Sequence, residues 1–157
     1  MFQASVRRAL TEIDPNWGSY EGLIVCGSHY TPGANDTIER IRYYREAGKP
    51  VLGICWGHQL AAIEYARNVL KVKNATSEEF GRGTLVVRMR QRAIIGFRDG
   101  ENWWTKYDVD PTFLEEWHKP PNMVTVPYHP EHRSKIGSPH PVLVDFINIA
   151  KEYAGNK

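Results

Sequence analysis

The chain has 157 residues, 41% hydrophobic and 24% charged, which suits one soluble domain with a single core and requires no second one. Its formal charge of +2 is too small to argue for nucleic acid or an anionic membrane, and Arg82, Arg88, Arg90, Arg92 and Arg98 read as a solvated strand face. Two cysteines, no signal peptide and no apolar run near the ~20 residues of a membrane span predict a cytoplasmic protein with neither a disulfide framework nor zinc spacing.

Taken in order, Met1 to Ile13 carries Val6, Ala9, Leu10 and Ile13 at helical spacing and is stopped by Asp14-Pro15. Leu23-Ile24-Val25-Cys26 is a continuous apolar run ended by Gly27-Ser28, the mark of a central parallel strand with a loop at its C-terminal end. After a Gly, Ser, Thr and Pro-rich loop, Asp36-Thr37-Ile38-Glu39 predicts a helix with Asp36 as N-cap, closed by Gly48. Pro50 to Ile54 reads as a buried strand, and Leu60, Ala61, Ile63, Glu64, Ala66, Arg67 and Leu70 as the following helix. Asn74 to Gly83 looks like a polar loop. Thr84 to Arg90 alternates like a half-exposed strand, and Ala93 to Phe97 is expected to pair with it. Asp110-Pro111 supplies N-cap and N1 of a short helix through Trp117, Met123 to Tyr128 is the last strand, and Pro141 begins a terminal helix.

Between the second strand and its helix lies Gly53-Ile54-Cys55-Trp56-Gly57-His58-Gln59. Gly-x-Cys-x-Gly is the thiol counterpart of Gly-x-Ser-x-Gly, where small residues permit a tight strand-to-helix turn that lifts a nucleophile clear of the sheet. A helix N-terminus there favours thiolate. The bland reading is a buried structural cysteine in a Gly-rich turn. Downstream, His129-Pro130-Glu131 follows the last strand. In an extended segment alternate residues share a face, so histidine and glutamate can act together as acid–base and orienter for Cys55.

Those two strings, in this order, resemble the class I glutamine amidotransferases, and more narrowly the glutaminase domain of CTP synthase. The narrower resemblance rests on Ala66-Arg67-Asn68-Val69-Leu70, Ser77-Glu78-Glu79-Phe80 and His129-Pro130-Glu131-His132-Arg133-Ser134, with Pro139 and Phe146. It implies a three-layer α/β/α fold of flavodoxin-like type around a mostly parallel open sheet, shortened at the N-terminus, as one domain over residues 1–157. It further implies hydrolysis of glutamine, or a related γ-glutamyl amide, through a glutamyl thioester with release of ammonia. Cys55 is the expected nucleophile, His129 the acid–base and Glu131 its orienter. Trp56, Gly27 and Ser28 would hold the oxyanion, and Gly53, Gln59, Glu79, Trp104 and Lys106 would line the substrate. No cofactor is implied.

This chain also departs from the family. The loop that reads Pro-Gly-Gly-Phe-Gly there is Cys26-Gly27-Ser28-His29-Tyr30 here, and Ser28 replaces a glycine whose peptide faces the oxyanion. The Arg/His-rich run that grips the substrate carboxylate becomes Glu101-Asn102-Trp103-Trp104-Thr105-Lys106-Tyr107, leaving Lys106 as the cation and two tryptophans that read as added core. A strand before the first helix and another after it are missing, so a partner chain or a second copy could complete the sheet. Without a phosphate-binding Gly-x-x-x-x-Gly-Lys-Ser/Thr loop, ligase chemistry would need a separate synthetase or acceptor subunit. The alternative is a catalytically impaired member of the fold that binds a small molecule or a partner protein. His29, His58, His129 and His132 offer a weaker third reading as a metal site, and no metal is expected there.

Overall fold

The computed structural model describes residues 2–28 and 31–156. Helix α1 (Phe2–Ile13) leads through a 3-10 turn at Trp17–Ser19 into strand β1 (Leu23–Val25), followed by α2 (Ala34–Glu46), β2 (Val51–Ile54) and α3 (Trp56–Asn68). Then come β3 (Ala75–Ser77), β4 (Thr84–Arg98), β5 (Glu101–Val109), α4 (Pro111–Glu116), β6 (Met123–Val126) and α5 (Pro141–Gly155).

The central sheet is wholly parallel, in the order β1-β2-β6. Every residue of β2 is buried, because helices cover both faces, and this is why the strand reads as an unbroken apolar run. Val51 faces α2 and α3, packing with Ile38, Ile41, Leu60 and Ile63. Leu52 and Ile54 face α1 and α5, packing with Val6, Leu10, Leu143 and Phe146. The three-layer α/β/α arrangement therefore holds, with each fully buried aliphatic side chain contributing about 1.5–3 kcal/mol. Buried Glu64 adds a polar clamp: Arg45 donates to both its oxygens at 2.6 and 3.0 Å and joins α2 to α3.

Four local expectations are corrected. Helix α2 starts two residues before Asp36, with Gly33 at the N-cap and no side-chain cap, so Asp36 instead lies in the first turn, where the helix dipole favours it. The supposed loop at 74–83 contains β3, paired in parallel with β4. Ala93 to Phe97 does not fold back on 84–90: β4 runs through the whole segment, with an irregularity between Met89 and Ile94, and its antiparallel partner is β5. The tryptophans add little core, since Trp104 is 44% exposed and Trp103 is half-buried against Tyr128. Between α1 and β1 the chain forms turns rather than a strand, so among the described residues β1 is an edge of its sheet.

Candidate active site

Cys55 occupies the turn between β2 and α3 with φ 54° and ψ −100°, a conformation that costs free energy in any residue with a Cβ. Its N–H donates to Val126 O at 2.9 Å, and its carbonyl accepts from Gln59 N–H at 3.1 Å. Both flanking glycines are sterically required. A Cβ on Gly57 would lie 2.2 Å from Val25 O, and one on Gly53 would lie 3.0 Å from both the Gly57 backbone and Thr125 Cγ2. Gly53 is thus a spacer that lets the helix approach the sheet, and the thiol sits at the N-terminus of α3 as the motif implied.

The loop after β6 brings the histidine and glutamate to the same place. Glu131 Oε2 lies 3.2 Å from His129 Nδ1, and Cys55 lies near enough to act on the imidazole. Burial alone would push the imidazole down, but its bonds to Cys55 and Glu131 and the charges of both raise it to about 9. Cys55 is 6% exposed, His129 1% and Glu131 0%, so the three groups meet in a dry environment. The second thiol behaves differently: burial and the nearby Glu131 push Cys26 up to about 11, which leaves it protonated.

Strand β5 lies across this group. Asn102 O accepts from His129 N–H at 2.8 Å, Trp104 O accepts from Cys55 Sγ at 3.3 Å, and Tyr107 O accepts from Gln59 Nε2 at 3.2 Å. Gln59 also approaches Thr105 Oγ1 at 3.4 Å. Glu79, in the turn after β3, is close enough to Tyr107 to help burial raise that phenol. Trp104 and Lys106 both have exposed side chains, whereas Thr105 between them is buried towards Gln59. Trp104 therefore meets the thiol through its main chain, and the exposed Lys106 projects from the face of β5 opposite Thr105.

Trp56 and Gly27–Ser28, the expected oxyanion elements, line one cavity of about 720 Å³ beside β1. Cys55, His129 and Glu131 are not among the residues lining it. Of the histidines considered for a metal, His29 lies outside the described residues, and His58 is sequestered near Thr125 and Trp117, where burial and Lys119 push it down to about 3. Ligand atoms of His129, Glu131 and His132 lie within 4.8 Å of one another, with His129 Nδ1 and Glu131 Oε2 facing each other at 3.2 Å.

Several positioning residues carried no motif. Arg8 of α1 donates from Nη2 to Glu131 O at 3.0 Å, fixing the loop that carries the carboxylate. His140 caps α5 by accepting Val142 N–H at Nδ1, so its Nε2–H donates to Glu101 at 2.7 Å and anchors the start of β5. An isolated Glu and His nearly forty residues apart give no local sequence signal.

A thiol at a strained strand-to-helix elbow, beside a buried histidine–glutamate pair in a three-layer α/β/α fold, defines a class. The glutamine amidotransferase class-I family matches residues 2–149, and the chain belongs to it. Among curated relatives, CTP synthase of Thermosipho africanus is 30% identical over 187 residues, covering 83% of this chain and 36% of that protein. CTP synthase of Aeropyrum pernix is 27% identical over 203 residues, covering 96% of this chain and 38% of that protein. The chain thus spans roughly a third of these relatives' length, and an alignment of 203 positions to a 157-residue chain means that the relative carries internal segments absent here. Among solved structures, the Trypanosoma brucei CTPS glutaminase domain with bound acivicin shares the fold, with TM-score 0.66 and 20% identity over 96% of this chain and 75% of that one. No helix among the described residues is long and apolar enough to cross a membrane.

Proposed function

We propose that the chain is a cysteine amidohydrolase that releases ammonia from glutamine or a related γ-glutamyl amide. The observation that carries this reading is the convergence of Cys55 on the elbow with the buried His129–Glu131 pair. His129, ionised at neutral pH, already holds the thiol's proton as sulfur attacks the amide carbon, and the oxyanion is met by the N–H of Trp56 and by the Gly27–Ser28 peptide. Collapse expels ammonia, which receives the proton from His129. Water, activated by the same imidazole, then cleaves the thioester and returns the thiol and a free γ-carboxylate. Glu131 holds the ring's orientation throughout. Gln59 and Glu79 would meet the substrate's polar end; because Lys106 is exposed away from Gln59, a γ-glutamyl compound without a free α-carboxylate fits as well as glutamine.

The acceptor of ammonia would be a separate synthetase subunit, and the setting a cytoplasmic one. A second reading, an impaired member of the family that binds without turnover, is favoured by one observation: Trp104 O lies where a substrate would have to approach the sulfur. Ammonia release from glutamine by the wild type and Cys55→Ala separates the two, together with labelling by a glutamine-mimicking diazo-ketone. The enzymatic reading expects a fall of ~1,000-fold or more in the variant and one adduct on Cys55. Equal background rates and no adduct, with glutamine still bound in calorimetry, would select the second.

A further inference from the structure

We infer that His129, Glu131 and His132 form a binding site for a zinc-like transition-metal dication, and that its occupancy silences the chemistry proposed for the first two. One ligand atom from each residue lies within 4.8 Å of the other two. His129 Nδ1 and Glu131 Oε2 are already 3.2 Å apart. A tetrahedral zinc at ~2.0–2.1 Å from its ligands sets them about 3.3 Å from one another, so that pair needs no adjustment. His132 has only to close the remaining gap, which its exposed side chain is free to do, with its ring 5.6 Å from that of His129. The same exposure gives the ion an entry path to two buried ligands.

The carboxylate supplies a second, independent observation. Glu131 is 0% exposed, and its Oε1 has no hydrogen-bond partner among the described residues, so one oxygen of a dry, charged group is left unsatisfied. A dication would satisfy that oxygen and neutralise the charge. Two nearby cations are engaged elsewhere: Arg8 donates to the main-chain Glu131 O, and Arg133 lies over the Phe97 ring at 4.9 Å. Two imidazoles and one carboxylate suit zinc, cobalt or nickel, whereas magnesium and calcium take oxygen ligands. Cys55, whose thiol donates to Trp104 O, is not needed as a ligand, and water would take the fourth position. One proton leaves His129 Nδ1 as the metal–nitrogen bond forms, so the ring loses the hydrogen bond to Glu131 that orients it. The ion is therefore an inhibitor and not a cofactor of the reaction. Binding does not depend on turnover; the silencing rests on the amidohydrolase reading.

The test is competition for zinc between the whole chain, free of any tag, and a chromophoric chelator, read by absorbance. One zinc per chain should bind with a Kd of about 10 µM or tighter, and magnesium in about hundredfold excess should not displace it. Loss of even an outer partner of a ligand costs about 10–100-fold, so His132→Ala should weaken zinc by about 100-fold or more, with the circular dichroism preserved. Cys55→Ala, and His118→Ala at an exposed histidine elsewhere, should stay within about threefold of wild type. Cobalt on the wild-type chain should give the visible bands of a tetrahedral site without the near-ultraviolet charge transfer of a thiolate ligand, a readout that needs no variant. No zinc bound at about 100 µM, equal binding by His132→Ala, a loss in Cys55→Ala or a thiolate band would each overturn the inference. Zinc should also suppress ammonia release from glutamine, a chelator should restore it, and His132→Ala should need about 100-fold more zinc for the same suppression. Release undiminished with zinc bound would overturn the silencing. If the metal-free chain releases no ammonia, the proposed function fails and the binding measurements still decide the site.

Discussion

On the β2–α3 side of the site a side-chain atom added at Gly57 would overlap Val25 O, and β2 is buried along its whole length. On the β5 side, Trp104 is 44% exposed, and the strand is joined to the site by main-chain carbonyls that accept from His129, Cys55 and Gln59. The first wall is held by close packing, which has no soft direction. The second is held by a few hydrogen bonds, each worth about 1 kcal/mol net, so it can open locally without unfolding the domain. The position of the sulfur is therefore a property of the core, while access to it is a property of the hairpin.

The contrast can be broken most forcefully at Gly57. Gly57→Ala places a Cβ against backbone that cannot yield, and the urea midpoint should fall by the equivalent of about 3 kcal/mol; a loss under 1 kcal/mol would mean that the elbow side is softer than its packing implies. A smaller, pH-dependent effect is expected at the pair joining both walls. His129 is raised to about 9 in the folded protein against an ordinary 6.5, so its ionised form stabilises the fold fully below pH 6.5 and this contribution disappears as pH rises through 9. Urea titrations from pH 6 to 10 should show wild type losing its advantage over His129→Gln across that window. The smallest effect belongs to the β5 anchor. Glu101→Gln weakens the bond from His140 Nε2 and should speed iodoacetamide alkylation of Cys55 by about threefold to tenfold, with Cys26 unchanged as an internal reference. An unchanged Cys55 rate would show that the hairpin does not control access.

The same two walls differ in how they are written in the sequence. The elbow was legible because its requirements are local: an apolar run covered on both faces, glycines where a Cβ cannot fit, and a thiol between them. The chemistry of the downstream loop was equally legible, since His129 and Glu131 are two residues apart and face one another. Strand β5 was not, because Glu101-Asn102-Trp103-Trp104-Thr105-Lys106 touches the site mainly through carbonyl oxygens that every residue type possesses. Nor was β3, whose Ala75-Thr76-Ser77 has no apolar alternation and is buried by α3 and β4 around it. Asp36 misled because its capping pattern is genuine local chemistry, overridden when α2 began at Ala34, where the alanine is buried against the core.

The bond from Arg8 to Glu131 O joins residues 123 positions apart. The loop bearing His129 and Glu131 is tied to α1, while the thiol arises from the turn between β2 and α3. During synthesis β2 and α3 can meet as soon as α3 has been made, but Val126, whose O holds the Cys55 N–H, and then His129 and Glu131 follow only about sixty residues later. Loop-closure entropy delays contacts of such separation, so Cys55, His129 and Glu131 come together among the last events of folding. A chain halted before β6 would therefore hold Cys55 with neither Val126 O to fix its turn nor His129 beside it.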